Sequence, residues 1–523
     1  MFKILIMSRG NEENKETRVI DNGGGKLNNQ EDKTAPDSRL NISNYNLDIS
    51  NEEDLKKSWC VTATPSILHF ITLIILGTSV WGLMWCAWGD NWKLGGPWFR
   101  LAAVAVIGWA SGQMLHELTT LPPLLAALLT GIIARHWNIL DMREYSDIDI
   151  FLRKIYPVII LGKASLGWDV KYMKDNWKLI MSLGILPWAA EVFMLSVLVN
   201  LLLDFPWLWG VLLGSIYASV SCAVLMPSVI NNNKLAGGKR NWTQLICTAG
   251  GIDTALSVGV YGLIYSFMVY DTNDIYRYTK AFLAIFMGIA LGVLWGSLAG
   301  LVPHSRDFYV TELRILFVLV GGLLGNFITS LIGWGGTGGV AVLACNATAA
   351  THWVREGWKL NSNPASTAYR VLWSIFEPIL FTYTGTFFVV NTSVSEKRLL
   401  LGFGILAVCL IVRLSVTFLV CRNFTLKERI YVCCTWIPKS IVEAVLCPLA
   451  LVTLISSYGH DDKRLKYAED LITLIIQAIL ITTPLGFLLT NYLGPRLLRV
   501  SPQDCENTDK ESYKRKSSTC QND

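Results

Sequence analysis

The sequence predicts an all-α protein that crosses a membrane many times. Hydrophobic residues make up 52% of its 523 residues and charged residues only 16%, whereas soluble chains carry about a quarter charged residues. From Ser66 onward, apolar runs alternate with short polar breaks. Backbone groups in hydrocarbon must find their hydrogen bonds within their own segment, which favours helices. This composition therefore excludes a soluble enzyme, and we expect a helical bundle in a lipid bilayer.

Fourteen apolar stretches have the length of a membrane span, at about 20 residues per crossing. We place them at residues 66–86, 98–115, 121–140, 152–167, 177–202, 207–230, 243–270, 278–302, 310–332, 335–354, 369–392, 398–421, 426–457 and 468–494. An even number of crossings puts both termini on the same side of the membrane.

Lysine and arginine in the tails and breaks predict the orientation. Both tails carry lysine and arginine, so the positive-inside rule places them in the cytoplasm. Basic breaks on the same side are Lys171/Lys174, Lys239/Arg240, Arg355/Lys359 and Lys427/Arg429. The breaks at Arg153/Lys154 and Lys463/Arg464/Lys466 run against this assignment.

The tails differ from the rest of the chain in composition. Residues 1–58 are rich in Asn, Asp, Glu, Lys and Gly and lack apolar periodicity, which indicates a disordered cytoplasmic tail. Residues 59–495 form the predicted transmembrane domain and residues 496–523 a cytoplasmic C-terminal tail. The net charge of +5 lies largely in loops and tails, so it indicates orientation and not nucleic-acid binding. Neither tail shows a retention motif, and the plasma membrane is the expected location.

Among the ionisable residues inside predicted spans, where an unpaired charge is costly, five stand out. They are Glu191, Asp253, Glu377, Arg413 and Lys439. Two buried ion pairs are expected, Glu191 with Arg413 and Asp253 with Lys439, and whether they only hold the bundle together stays open. Glu377 precedes a proline and is either a residue of the transport pathway or an acid near a helix end, and the second interpretation is favoured.

Two proline-containing segments predict broken helices. Pro227 lies inside an apolar span and Pro438 directly precedes Lys439, and proline removes a helical hydrogen bond. Small and hydroxyl residues surround Asp253, so another helix can approach it closely. Broken helices at membrane depth point to a transporter's binding site.

Four segments resemble the sodium/proton antiporters of the cation:proton antiporter superfamily, closest to the animal NHA branch, also called sodium/hydrogen exchanger 9B. Residues 121–131 resemble a Leu-Pro-Pro-Leu signature, and residues 161–169 an Arg-Ala-Gly-Leu-Gly-Leu-Asp element with Lys163 in place of arginine. Residues 221–228 resemble the family's crossing helix, and residues 436–440 its Trp-Leu-Pro-Lys-Ala segment.

This resemblance implies an inverted-repeat fold with a core domain and a dimerisation domain. It implies a homodimer that exchanges a monovalent cation, Na⁺, Li⁺ or K⁺, for H⁺ by alternating access and needs no cofactor or resident metal. Matched by position, Asp253 binds the cation and the proton, Lys439 is the site lysine that pairs with it, and Glu191 and Arg413 form a structural ion pair. Ser221 and Pro227 mark the break in the crossing helix.

The chain departs from the family pattern at two positions. Thr254 stands where the family has the second aspartate, and a hydroxyl supplies an oxygen ligand but no negative charge. Cys222 replaces the first proline of the crossing helix, so fewer free carbonyls are expected there. If Asp253 and Lys439 neutralise each other, the site keeps no net charge to hold a cation.

Three functions stay open on this basis. The first is cation/proton exchange, with the cation held by Asp253, Thr254 and backbone oxygens. The second is proton-coupled transport of an anion such as chloride, attracted by Lys439. The third is a non-transporting regulatory paralogue that dimerises with an active relative. A hydrolytic or nucleotide-driven enzyme is disfavoured because the chain has no Walker loop, nucleophile elbow or metal-ligand cluster.

Overall fold

A computed structural model describes residues 71–236, 240–269, 274–359, 363–388, 396–458 and 464–499. The chain divides into two compact units, residues 1–80 and 81–523. In the first unit, residues 71–80 are helical. The predicted N-terminal tail and all of the C-terminal tail after residue 499 lie outside the described residues.

The second unit is helical, and no strand occurs in the ranges given above, so the predicted all-α class is confirmed. It begins with helical residues 81–88. The longer elements follow in chain order as α1 (Pro97–Thr119), α2 (Leu124–His136), α3 (Ser146–Ser165), α4 (Val170–Asp175), α5 (Trp177–Leu203), α6 (Trp207–Tyr217), α7 (Cys222–Leu235), α8 (Trp242–Val269), α9 (Asp274–Leu301), α10 (Val310–Leu331), α11 (Thr337–Arg355), α12 (Pro364–Gly385), α13 (Glu396–Val420), α14 (Leu426–Thr435), α15 (Ile441–Tyr458) and α16 (Arg464–Leu498).

Two predicted spans are each divided into two helices. The span at 207–230 is α6 and α7, separated by residues 218–221, and the span at 426–457 is α14 and α15, separated by residues 436–440. Among the described helices, seven are long and apolar enough to cross a membrane on their own. The total of fourteen crossings stays a prediction.

The helices of the second unit pack as two groups. Helices α5–α8 pack with α13–α16, and we call this group the site bundle. Helices α1–α3 pack with α9–α12, and we call this group the flanking bundle. The two groups meet mainly where α3 and α12 contact α15 and where α11 contacts α8.

Helices α9 and α11 pack closely along a glycine stripe. Gly288, Gly292, Gly296 and Gly300 recur one helical turn apart on α9 and face α11. A Cβ atom on Gly292 would clash with the carbonyl oxygen of Ala341. The absence of side chains therefore lets two helix backbones approach, as is common between helices in membranes.

Helix α3 differs from its predicted span. It starts at Ser146 and not at residue 152, because Arg153 lies within it and pairs with Asp149, one turn earlier, at 2.6 Å from Nε to Oδ2. Arg153 is 3% exposed and Asp149 1% exposed. The interpretation of Arg153 as part of a polar break is wrong, which removes one of the two breaks that ran against the predicted orientation.

Candidate functional site

Two helix breaks are joined to each other by hydrogen bonds. We call residues 218–221 the first break and residues 436–440 the second break. The backbone N–H of Ser221 donates to the carbonyl oxygen of Pro438 at 2.8 Å. The hydroxyl oxygens of Ser221 and Ser440 lie 2.6 Å apart. The middle of the site bundle is therefore a crossing of two non-helical segments.

The first break lies before Pro227, not at it. Pro227 is inside α7, whereas Ser221 ends the break and is buried. The break is held open by side chains that bind its backbone groups. Arg413 Nη1 donates to the carbonyl oxygen of Ala218, and the N–H of Val220 donates to Asp253. The Ala218 carbonyl and the Val220 N–H would otherwise form hydrogen bonds within a continuous helix. Because side chains bind them instead, the helix can be broken here without a proline.

Asp253 is fully buried on α8 and both of its carboxylate oxygens are engaged. Oδ1 accepts the backbone N–H of Val220 at 2.8 Å. Oδ2 lies 2.8 Å from Nη2 of Arg413. The carboxylate thus binds one backbone group of the first break and one charged side chain.

Arg413, on α13, bridges two acids. Its Nη1 lies 2.5 Å from Glu191 Oε2 while its Nη2 contacts Asp253. Its Nε donates to the carbonyl oxygen of Trp436 in the second break at 3.1 Å. A planar guanidinium offers several donors in a fixed geometry, which is what a bridge of this kind requires. The predicted contact between Glu191 and Arg413 is present.

Lys439, in the second break, contacts Glu191 and not Asp253. Its Nζ lies 2.8 Å from Glu191 Oε1, in an ion pair without the alignment of a hydrogen bond, and it donates to the carbonyl oxygen of Tyr217. The expected direct pair of Asp253 and Lys439 is not formed, and Asp253 pairs with Arg413 instead. Glu191 therefore carries two basic partners.

Further oxygens near the crossing can serve as ligands. Thr254 follows Asp253 on α8 and is half-buried. The hydroxyl of Ser219, in the first break, is buried and has no hydrogen-bond partner among the described residues. Buried polar groups are nearly always paired, so such a hydroxyl is available to a ligand.

Glu443 is a further buried acid at the second break that was not predicted from the sequence. This residue lies in the first turn of α15 and is 1% exposed. Its Oε2 accepts the backbone N–H of Ser440 at 3.0 Å, and its Oε1 has no hydrogen-bond partner among the described residues. The signal was present in the sequence as a lone acid between Val442 and Ala444, four residues after Lys439.

Asp149 and Arg153 were also missed as buried ionisable residues. Nη1 of Arg153 donates to the carbonyl oxygen of Ala444 on α15 at 2.7 Å, and the hydroxyl of Thr384 on α12 donates to the same oxygen at 3.0 Å. Pro448 has no N–H, so this carbonyl lacks its partner within the helix. An acid and a base four residues apart on one apolar helix were the available signal.

Glu377 is not near a helix end as expected. It lies well inside α12, because the helix continues past Pro378 to Gly385. It is half-buried and lines a cavity of about 80 Å³ between α1, α2 and α12, together with Gln113 and Ser374. The charge of Lys163 acts on its carboxylate. Glu377 thus belongs to the flanking bundle and not to the helix crossing.

Comparison with known proteins identifies relatives over most of the chain. The model of the transmembrane sodium/hydrogen exchanger family matches residues 101–492. Human sodium/hydrogen exchanger 9B2 is 30% identical over 451 residues, which cover 83% of this chain and 80% of that protein. Human sodium/hydrogen exchanger 9B1 is 29% identical over 499 residues, 90% of this chain and 94% of that protein.

A solved structure shows the same fold. The sodium proton antiporter MjNhaP1 from Methanocaldococcus jannaschii matches with a TM-score of 0.63 at 17% sequence identity. The match covers 76% of this chain and 97% of that one. The matched region of the family model includes both helix breaks and the buried ionisable residues around them.

Proposed function

This chain belongs to the sodium/hydrogen exchanger family of multi-pass membrane transporters, and on that premise we propose that it exchanges Na⁺ or Li⁺ for H⁺ by alternating access. Its relatives are transporters and not enzymes, as the sequence predicts. One observation carries the proposal: a fully buried carboxylate, Asp253, lies where two broken helices cross.

Asp253 is the group for which proton and cation compete. A proton on Oδ2 removes the charge that attracts Nη2 of Arg413. Arg413 keeps its contacts with Glu191, Ala218 and Trp436, so the rest of the cluster is preserved. A cation that replaces the proton restores the same neutral balance at the carboxylate. The exchange thus changes one contact without unpairing a second buried charge.

The cation ligands in this proposal are oxygens. Asp253 supplies a carboxylate, Thr254 a hydroxyl and the backbone of the first break carbonyls, and the unpartnered hydroxyl of Ser219 is a second hydroxyl ligand. Hard monovalent and divalent cations prefer such ligands to nitrogen or sulfur. Lys439 acts on Asp253 through space, since its direct partner is Glu191.

The geometry does not favour chloride as the substrate. The ammonium group of Lys439 faces the carboxylate of Glu191 and the carbonyl oxygen of Tyr217. An anion would have to displace one of these negative or partly negative groups from a buried position. Anion coupling therefore stays only as an outcome of the test.

We assign the two helix bundles to the two domains that alternating access requires. The site bundle is proposed as the mobile core domain and the flanking bundle as the dimerisation domain of a homodimer. Both tails are proposed to be cytoplasmic, with the protein in the plasma membrane. The burial of Arg153 supports this orientation, since it leaves only the break at 463–466 against it.

The test is proton flux in proteoliposomes of the purified protein, driven in turn by Na⁺, Li⁺, K⁺ and Cl⁻ gradients. Asp253→Asn is the critical variant. Asp204→Asn is the matched control, because Asp204 is exposed at the end of α5 in a left-handed conformation that asparagine also adopts.

Cation-driven flux that Asp253→Asn abolishes and Asp204→Asn preserves would support the proposal. Flux driven by chloride would replace it with anion coupling. Folded protein that is silent with every ion would indicate the non-transporting partner.

A further inference from the structure

We infer that Glu443 is the second carboxylate of the ion site, supplying from α15 the negative charge that Thr254 does not supply from α8. The inference rests on the cation/proton exchange proposed above. Glu443 lies in the first turn of α15, whereas Asp253 lies on α8.

Glu443 is one hydrogen-bonded residue away from the helix crossing. Its Oε2 accepts the N–H of Ser440 at 3.0 Å, and the hydroxyl of Ser440 lies 2.6 Å from that of Ser221 in the first break. The charges of Lys439 and Asp253 both act on its carboxylate. Glu443 is thus part of the same electrostatic cluster as Asp253.

A capping role explains only half of this side chain. Ser440 precedes α15 and Glu443 is its third residue, so the bond from Ser440 N–H to Oε2 is one half of a capping box. Glutamine makes that bond equally well. The cap therefore accounts for Oε2 but not for a carboxyl group in place of an amide, nor for Oε1, which is buried without a partner in the described chain. An ionisable group kept at membrane depth without a structural need indicates function.

The charge balance of the cluster gives Glu443 its role. With all five groups around the crossing ionised, the three acids Glu191, Asp253 and Glu443 exceed the two bases Arg413 and Lys439 by one negative charge. Without Glu443 the acids and bases would cancel. One bound H⁺ or one monovalent cation makes the cluster neutral.

Other titratable groups near Glu443 leave this balance unchanged. Tyr217 on α6 and Cys447 on α15 interact electrostatically with the carboxylate of Glu443. Both are uncharged in their protonated forms. The neighbouring Asp149 and Arg153 are paired with each other and cancel.

Two consequences follow for transport. One proton or one monovalent cation neutralises the cluster, so exchange should be one for one and should not respond to membrane voltage. The empty cluster keeps a buried negative charge, which makes its movement through the barrier unfavourable and couples the two ions.

The experiment relocates the acid. Glu443→Gln keeps the capping bond and removes the charge, and Thr254→Asp on that background returns a carboxylate to α8. Thr254→Asn on the same background is the matched neutral control. Each variant is reconstituted, and Na⁺- and Li⁺-driven proton flux is measured with and without a K⁺/valinomycin voltage. Size-exclusion profiles establish that each variant is folded.

We expect flux to fall to the level of Asp253→Asn in Glu443→Gln, to recover in Thr254→Asp/Glu443→Gln, and to stay absent in Thr254→Asn/Glu443→Gln. Wild-type exchange should be the same with and without voltage. Full flux in folded Glu443→Gln would overturn the inference, and so would a voltage-dependent wild type or a swap that fails to recover.

A second readout separates this inference from the proposed function. If the wild type shows no exchange with any cation, the proposed function fails, and binding is then measured as the rise in detergent melting temperature with Li⁺ or Na⁺. A rise in the wild type that Glu443→Gln lacks supports Glu443 as a ligand. No rise in the wild type, or an equal rise in both, overturns it.

Discussion

Arg153 of the flanking bundle donates a hydrogen bond to the carbonyl oxygen of Ala444 in the site bundle, at 2.7 Å. Ala444 lies four residues before Pro448, so this acceptor has no partner in its own helix. The contact therefore joins the two bundles at a carbonyl that the sequence leaves free. Because α15 begins directly after Ser440, the last residue of the second break, the contact also fixes the helix that extends from that break.

We predict that Arg153→Gln destabilises the protein by about 3 to 5 kcal/mol, because it leaves Asp149 buried and unpaired. Lys154→Gln is the neighbouring control, since Lys154 is only half-buried. The detergent melting temperature measures the difference. An unchanged melting temperature in Arg153→Gln would show that the contact with Ala444 and the pair with Asp149 contribute nothing to stability. The double variant Asp149→Asn/Arg153→Gln should be less damaged than Arg153→Gln alone.

Arg413→Lys should fail to replace arginine despite keeping the positive charge. One ammonium group cannot bridge Glu191 and Asp253 while also donating to Trp436. We expect a loss of about 3 kcal/mol or more of stability, together with reduced cation-driven flux. Arg422→Lys, at an exposed position, is the control and should behave as the wild type in both measurements. Normal melting and flux in Arg413→Lys would argue against the bridge.

Thr254→Asp should increase cation-dependent proton flux, since it restores an acid next to Asp253. With Glu443 still in place, the empty cluster then carries two negative charges, so it can exchange two protons for one cation, and this unequal exchange should be sensitive to voltage. Thr254→Asn keeps the size of the side chain without the charge and should give no increase. Flux into proteoliposomes with and without an imposed potential distinguishes these results. No gain from Thr254→Asp would show that the site has diverged by more than this residue.

Gly292→Ala should separate α9 from α11. The added methyl group would meet the carbonyl oxygen of Ala341, and overpacking of this kind costs about 1 to 3 kcal/mol. Gly325→Ala is the matched control, because nothing lies within 4 Å of its added Cβ. It should leave stability unchanged or raise it by about 0.5 to 1 kcal/mol through helix propensity. Equal melting temperatures for the two variants would contradict the close packing.

Much of the fold could be predicted from the sequence because hydrocarbon restricts the choices. Long apolar runs have to be helices in a membrane, and the resemblance of four short segments identified the family that the comparisons confirm. The two breaks were placed in the correct spans. Their positions were less predictable. Pro227 suggested a break at its own position, but the break lies at residues 218–221, where Arg413 and Asp253 bind the free backbone groups.

The pairing of the buried charges was harder to predict. Two buried acids and two buried bases can form ion pairs in two ways. The sequence gives the number of buried charges but not which acid lies beside which base. In the structure, Asp253 contacts Val220 and Arg413, whereas Lys439 pairs with Glu191. Arg153 was misinterpreted for a related reason. A charge at the edge of an apolar run resembles a loop until its partner Asp149 is seen one turn away.

The bridge made by Arg413 also constrains the order in which the protein can be assembled. Arg413 follows Glu191 by 222 residues and Asp253 by 160, so the ribosome delivers both acids to the membrane long before their shared base. Until α13 is synthesised, the nascent chain holds two carboxylates and an unwound peptide at membrane depth with no counter-charge. The early helices therefore need water, a proton or an insertion factor as a temporary partner. A ribosome stalled before residue 413 would expose a segment that quality-control machinery can recognise.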